Sequence, residues 1–154
     1  MPPVNDIADL NQLKSYIDNA GDGIYVIDLP SGRIISCNRQ ACLDSGYTQD
    51  ELLRLRVTDI DANFRPSEID KIHGELTPGK PILVESVHKR KDGSTYPVEI
   101  RLNLLDSAKP QHVISIVRDI TDRKVVEEKL RESEEHYRDR SMRRKDDSAG
   151  RDRS

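Results

Sequence analysis

Apolar and polar positions alternate most cleanly between Tyr96 and Leu104. Tyr96, Val98, Ile100, Leu102 and Leu104 interleave with Pro97, Glu99, Arg101 and Asn103, the period-2 pattern of a strand with one buried face. A second strand, Ile82-Leu83-Val84 through Val87, precedes it. Lys91-Asp92-Gly93-Ser94 between them carries the Asp-Gly hairpin signal. Val113, Ile114, Ile116 and Val117 form a β-branched strand. Two more strands, Ile24-Tyr25-Val26-Ile27-Asp28 and Ile34-Ile35-Ser36-Cys37, flank Pro30-Ser31-Gly32. That spacing suits a type I turn, with Pro second and Gly fourth. Tyr25 and Ile27 alternate with Ile24 and Val26, so both faces of this strand are apolar, as are both faces of the last one. A sheet with one solvated face would alternate apolar and polar. The outer face is therefore expected to be covered by an N-terminal helix, a second chain, or both.

Helical periodicity occupies the remainder. Asp9 can cap a short helix with Leu10, Leu13 and Ile17 on one side. Ala41, Cys42 and Leu43 belong to a short helix. Thr48 followed by Glu51 predicts a capping box before Leu52 and Leu53. Asp59-Ile60-Asp61-Ala62 reads as a brief turn. Ser67 can cap a longer helix bearing Ile69, Ile72 and Leu76, which Pro78-Gly79 ends. After Val125 the period changes again. Val126, Leu130, Ser133 and Tyr137 form a short heptad seam, and Glu127–Arg131 and Glu134–Arg138 are spaced for ion pairs. Two strands, several small helices, three strands and an exit helix predict an α+β fold. The expected sheet has five antiparallel strands with the helices on one face.

This pattern divides the chain into a flexible N-terminus (1–8), a globular domain with its N-terminal helix (9–122), an amphipathic exit helix (123–138) and a charged tail (139–154). The tail has almost no apolar residues and is expected to be disordered. Its Arg143-Arg144-Lys145 run is followed by Asp146-Asp147, which argues for a solvated tail over a nucleic-acid arm. A formal net charge of -3 gives no bulk argument for nucleic acid either. No apolar run approaches the ~18 residues of a membrane span, and no secretory signal begins the chain. Cys37 and Cys42 read as reduced thiols, so a cytoplasmic protein is expected. No nucleophile–base pair, Gly-rich phosphate loop or metal cluster is legible, so the expectation is a protein without enzymatic activity or a bound metal.

Six stretches in order resemble a PAS domain of the bacterial sensory-box type. They are Asp22 to Asp28, Asn38 to Cys42, Gly46-Tyr47-Thr48 with Glu51-Leu52, Glu85 to Ser94, Tyr96-Pro97-Val98-Glu99, and Asp119-Ile120-Thr121-Asp122-Arg123-Lys124. The resemblance implies a curved sheet and small helices around a pocket, sensing a ligand or cofactor state or dimerising. The signal would pass through the exit helix to an output domain, in the same longer chain or a partner kinase. The alternatives are an N-terminal fragment of a sensor histidine kinase or diguanylate cyclase, or a haem-binding redox or gas sensor.

On that resemblance the pocket would be lined by Ile24 or Tyr25, Ile35, Asn38, Cys42, Tyr47, Phe64, Ile72, Val98, Ile100 and Ser115. A packed core without ligand would use the same residues. His73 resembles the axial histidine of haem-binding relatives, but a solvated histidine is the simpler reading, since Ile72 and Leu76 define the apolar face and no basic partners for haem propionates are evident. Cys42 lacks the Asn-Cys-Arg-Phe-type context of flavin-binding relatives. No tightly bound cofactor is therefore expected, haem and flavin included. Asp119 and Thr121 match the motif ending the last strand and, with Val126 and Leu130, are the transmission candidates; Thr121 or Asp122 could equally be a simple helix cap. A homodimer that touches neither nucleic acid nor membrane completes the expectation.

Overall fold

The computed structural model describes residue 12, residues 15–105 and residues 111–151, with side chains through residue 145. Strand β1 (Gly23–Leu29) and strand β2 (Ile34–Cys37) come first. Helices α1 (Arg39–Ser45), α2 (Gln49–Leu52), α3 (Val57–Ile60) and α4 (Pro66–Glu75) follow. Strands β3 (Ile82–Lys89), β4 (Thr95–Leu104) and β5 (Gln111–Asp119) complete the sheet, and α5 (Thr121–Arg151) ends the described chain. The sheet order is β2-β1-β5-β4-β3, with every neighbouring pair antiparallel. This is the expected α+β architecture. The expected N-terminal helix falls largely outside the described residues, although 15–18 are helical.

The alternation in β4 has its predicted consequence. Tyr96, Val98, Ile100, Leu102 and Leu104 are all buried, and their partners on β5, Val113 and Val117, are buried beside them. Ile34, Leu52 and Val98 are fully enclosed, each contributing about 1.5–3 kcal/mol of burial. On the opposite face of the central strands Ile24 pairs with Ile116 and Val26 with Ile114, and all four are half-buried.

Local capping positions the helices. Thr48 and Glu51 form the predicted capping box at α2, each side chain accepting from the other's backbone N–H at 3.2 Å. Gly46 ends α1 at φ +77, its N–H donating to the Cys42 carbonyl at 2.9 Å, a conformation that glycine adopts without penalty. Two expectations fail in detail. α4 starts at Pro66 with Arg65 as N-cap, so Ser67 lies in its first turn; proline suits the first helical position, where no N–H partner is needed. The β1–β2 turn is closed by the Gly32 N–H on Asp28 O at 2.8 Å, one residue wider than a type I turn, and its Leu29–Pro30 peptide is cis.

Residues Met1–Ile120 and Thr121–Ser154 form two compact units. In the second, α5 runs to Arg151 where a disordered tail is expected. No Pro or Gly interrupts 121–149, and Glu, Arg and Lys are good helix formers. Its ion pairs differ from those expected: Glu127 faces Arg123 at 3.8 Å and Lys124 at 3.6 Å, while Arg131 contacts Glu128 at 2.5 Å and Glu135 at 4.0 Å. Val126, Leu130 and Tyr137 are exposed along it.

Candidate functional site

A cavity of about 60 Å³ lies between the sheet and the helices. The sheet contributes Tyr25, Ile27 and Leu29 from β1, Val113, Ser115 and Val117 from β5, Ile100 and Leu102 from β4, and Val84 and His88 from β3. Val57, Ile60, Asp61, Phe64, Ile69, Ile72 and Leu76 close it from the helical side. The wall is apolar apart from Asp61, His88, Ser115 and the Tyr25 hydroxyl. The last lies 3.5 Å from the Ala41 carbonyl, and burial pushes its pKa upward.

Strand parity and one bridge create the polar corner. Val84, Ser86 and His88 point to the same face of β3, and the last two are buried. Asp61, the C-cap of α3, forms an isolated antiparallel bridge with His88, and the Ala62 N–H donates to Val87 O at 2.8 Å. These backbone links hold the Asp61 carboxylate against His88, with Oδ2 3.5 Å from Nε2 and both residues buried, at 6% and 4% exposure. Oδ1 accepts from the Ser86 hydroxyl at 2.7 Å, the Asn63 N–H at 2.9 Å and the Phe64 N–H at 3.0 Å. Burial alone would raise the Asp61 pKa. Hydrogen bonds from His88, Ser86 and the Asn63 backbone outweigh it and hold the carboxyl below its usual range. The His88 ring packs edge-on against Tyr96, with centroids 6.0 Å apart, and Arg90 stacks over the Tyr96 ring at 4.2 Å. His88 Nδ1 is buried and has no hydrogen-bond partner among the described residues.

Of the pocket residues expected from sequence, Tyr25, Phe64, Ile72, Ile100 and Ser115 line the cavity. Asn38, Cys42, Tyr47, Val98, Ile24 and Ile35 do not. Asn38 is a structural clamp: its Oδ1 accepts from the Ile24 and Ala41 N–H groups at 2.8 and 3.0 Å, and its Nδ2 donates to the Ile17 and Asp22 carbonyls at 2.9 Å each. Cys42 and Tyr47 pack against the core from outside the cavity, and Val98 is buried within it. Ile35 is exposed, while Ile24 lies on the outer sheet face. His73 does not line the cavity; its Nε2 meets Gln111 Oε1, while Ile72, one residue back on the helix, faces the cavity. Asp119 ends β5 and Thr121 begins α5; between them Ile120 is buried and its N–H donates to Pro97 O at 3.1 Å. Val126 and Leu130 lie on α5, outside the cavity wall.

Sequence reasoning missed Asp61, Ser86 and His88. The usable signal was two polar residues at inward positions of β3, continuing the parity of Val84.

The cavity is far smaller than the ~300–1,000 Å³ pockets of drug-sized ligands. Among the described residues no cluster of His, Cys, Asp and Glu is arranged to hold a metal, and no helix is long and apolar enough to cross a membrane.

A five-stranded antiparallel sheet closed by short helices over an internal cavity defines a class of α+β sensory module. Residues 21–122 match the family model described as PAS domain, and the chain belongs to the PAS domain family. The PAS domain of an HTR-like protein from Haloarcula marismortui is similar, at 26% identity and TM-score 0.68, covering 73% of this chain and 93% of that one. A domain of a sensory box sensor histidine kinase/response regulator from Geobacter sulfurreducens shares the fold, at 24% identity and TM-score 0.59, over 75% of this chain and 98% of that one. A methyl sulfide methyltransferase-associated sensor from Methanosarcina acetivorans is 24% identical over 118 residues. The match covers 76% of this chain and 12% of that sensor, so the chain spans about an eighth of its length.

Proposed function

We propose that this chain is the sensory and dimerisation module of a cytoplasmic signal-transduction protein. It binds a small ligand in the internal cavity and relays the bound state through Asp119, Thr121 and α5 to an output domain. The observation that carries this reading is the cavity lined mostly by apolar side chains with a few placed polar groups, the kind of lining that small-molecule sites use. Membership of the PAS family and similarity to sensor proteins support it. The role is binding, without catalysis, and without tightly held haem or flavin. The output domain lies in a longer chain or in a partner kinase. A second copy is the favoured partner: the half-buried Ile24, Val26, Ile114 and Ile116 offer one apolar surface on the sheet, and the exposed Val126, Leu130 and Tyr137 offer another on α5. Isolated helices gain little stability without such packing, so pairing along α5 would respond to how the sensory unit presents it.

The test joins a reporter kinase core in helical register after Arg151. Small-molecule fragments are first selected by NMR shifts of the Ile72, Ile100 and Val113 methyls. A fragment that moves these methyls should change kinase activity. Asp119→Ala with Thr121→Ala should abolish that response while leaving fragment binding intact. If no fragment perturbs the cavity methyls, ligand sensing fails; if the double variant responds fully, the relay through this junction fails.

A further inference from the structure

We propose that the Ser115 hydroxyl is the group that orients a ligand in the cavity, and that the cavity selects neutral molecules of a few heavy atoms carrying one oxygen acceptor. The inference rests on the proposed reading of the cavity as a ligand site and specifies its polar contact and ligand class.

Position carries the first step. β5 is the central strand of the sheet, and Ser115 lies on its inner face between Val113 and Val117. It pairs with Tyr25 of β1 and Leu102 of β4. All four neighbours line the cavity together with Ser115, so the serine stands within the floor that the sheet provides and not at its rim. The second step is the state of the hydroxyl. The residue is 4% exposed, and its hydroxyl has no hydrogen-bond partner among the described residues. Among those residues His88 Nδ1 is the buried, unpartnered side-chain atom that is sealed off completely. The Ser115 hydroxyl is not sealed, and the space that its side chain borders is the cavity. The third step is what the rest of the wall withholds. Asp61 accepts, and its negative charge repels a ligand oxygen. His88 Nε2 faces Asp61 Oδ2 at 3.5 Å, and the Tyr25 hydroxyl lies 3.5 Å from the Ala41 carbonyl. Ser115 is the lining residue whose donor is uncommitted, and a carbonyl or ether oxygen in the cavity receives it. Alanine would leave the same room without burying an unpaired hydroxyl, an arrangement that costs stability. The apolar wall excludes charged ligands, since an ion loses its hydration there. At about 10–15 Å³ per water-sized group, the cavity of about 60 Å³ takes roughly four to six heavy atoms.

Cyclobutanone and methylenecyclobutane are matched rings of like shape, one with a C=O and one with a C=CH₂. Each is titrated into the full chain and into its Ser115→Ala variant, with affinity read from the Ile72, Ile100 and Val113 methyl shifts. The cyclobutanone carries ¹³C at its carbonyl, whose resonance moves downfield on accepting a hydrogen bond. Ser115→Ala should weaken cyclobutanone about fivefold, the equivalent of one net hydrogen bond, and leave methylenecyclobutane unchanged. The bound carbonyl resonance should lie downfield of its value in hydrocarbon solvent and return to that value in the variant. A serine that only makes room would move neither the ratio nor the resonance. Equal effects of the substitution on the two molecules, or binding of the alkene alone, overturn the inference while leaving the cavity a ligand site. Binding of neither overturns the inference and also counts against the ligand-site reading. If Ser115→Ala does not fold, the carbonyl resonance of the ketone bound to the unaltered protein decides: at its hydrocarbon value, the inference fails.

Discussion

Replacing Asp61 by alanine should cost about 3 kcal/mol of folding stability at neutral pH, the combined effect of orphaning two buried donors at about 1.5 kcal/mol each. Those donors are the Ser86 hydroxyl and His88 Nε2, in residues 8% and 4% exposed. The Asn63 and Phe64 N–H groups also lose their acceptor, but they lie at the partly open end of the corner and can recover water. Asp61→Asn keeps an acceptor for Ser86 and the two N–H groups and removes the charge, so it should cost less than half as much. The effect must depend on pH with a definite sign. The Asp61 carboxyl is held below its usual range, so its folded pKa lies below the unfolded value. Its contribution is complete above the unfolded pKa of about 4 and fades as pH falls through the folded value. Urea unfolding followed by far-UV circular dichroism at pH 7 and at pH 3 reads both quantities, provided that the slope with urea is unchanged. A loss below 1 kcal/mol at pH 7, or a loss that grows on acidification, would refute the claim that the carboxylate anchors this corner.

Asn38→Ala removes the clamp between β1, α1 and the preceding segment and should cost about 2–3 kcal/mol, given four hydrogen bonds in a side chain 4% exposed; thermal melting checks this. The Cys37 thiol is pushed up to about 12, first by burial and then by the adjoining Cys42 thiol, so its thiolate is scarce at pH 8. Iodoacetamide should label Cys37 slowly in native protein and fast in urea, and rapid native labelling would contradict the burial of that corner.

Sheet and helices were legible where local chemistry and burial agree. The β4 alternation could be read because one of its faces is buried and the other is not, and the Thr48–Glu51 box because both partners sit within one turn. α5 extends to Arg151 into the stretch whose polar composition predicts a charged tail, because helix formers run there with no Pro or Gly before Gly150. The candidate site was half legible. Parity assigned Ile100 and Val98 to the same inner face, but parity does not say how far along that face the cavity extends, and only Ile100 reaches it. Asn38 looked like a ligand group because a buried amide that caps a helix and one that binds a ligand use the same chemistry. Asp61 and His88 escaped notice because they are distant in sequence and meet only through a bridge between a helix end and a strand, which no local period encodes.

The cavity separates the proposed binding role from a purely packing one. Methyl groups filling a void of about 60 Å³ would recover on the order of 1–2 kcal/mol, and an aliphatic side chain in place of His88 would remove an imidazole nitrogen that has no partner. An unfilled apolar space and an unsatisfied acceptor are separate destabilising features, each uncommon in a well-packed core. Under the proposed reading, a small apolar molecule that fills the space stabilises the folded protein by an amount that grows with its concentration, and this differential is what a relay through β5 and the following helix could draw upon. A packing role predicts otherwise: no small apolar fragment would raise the melting temperature.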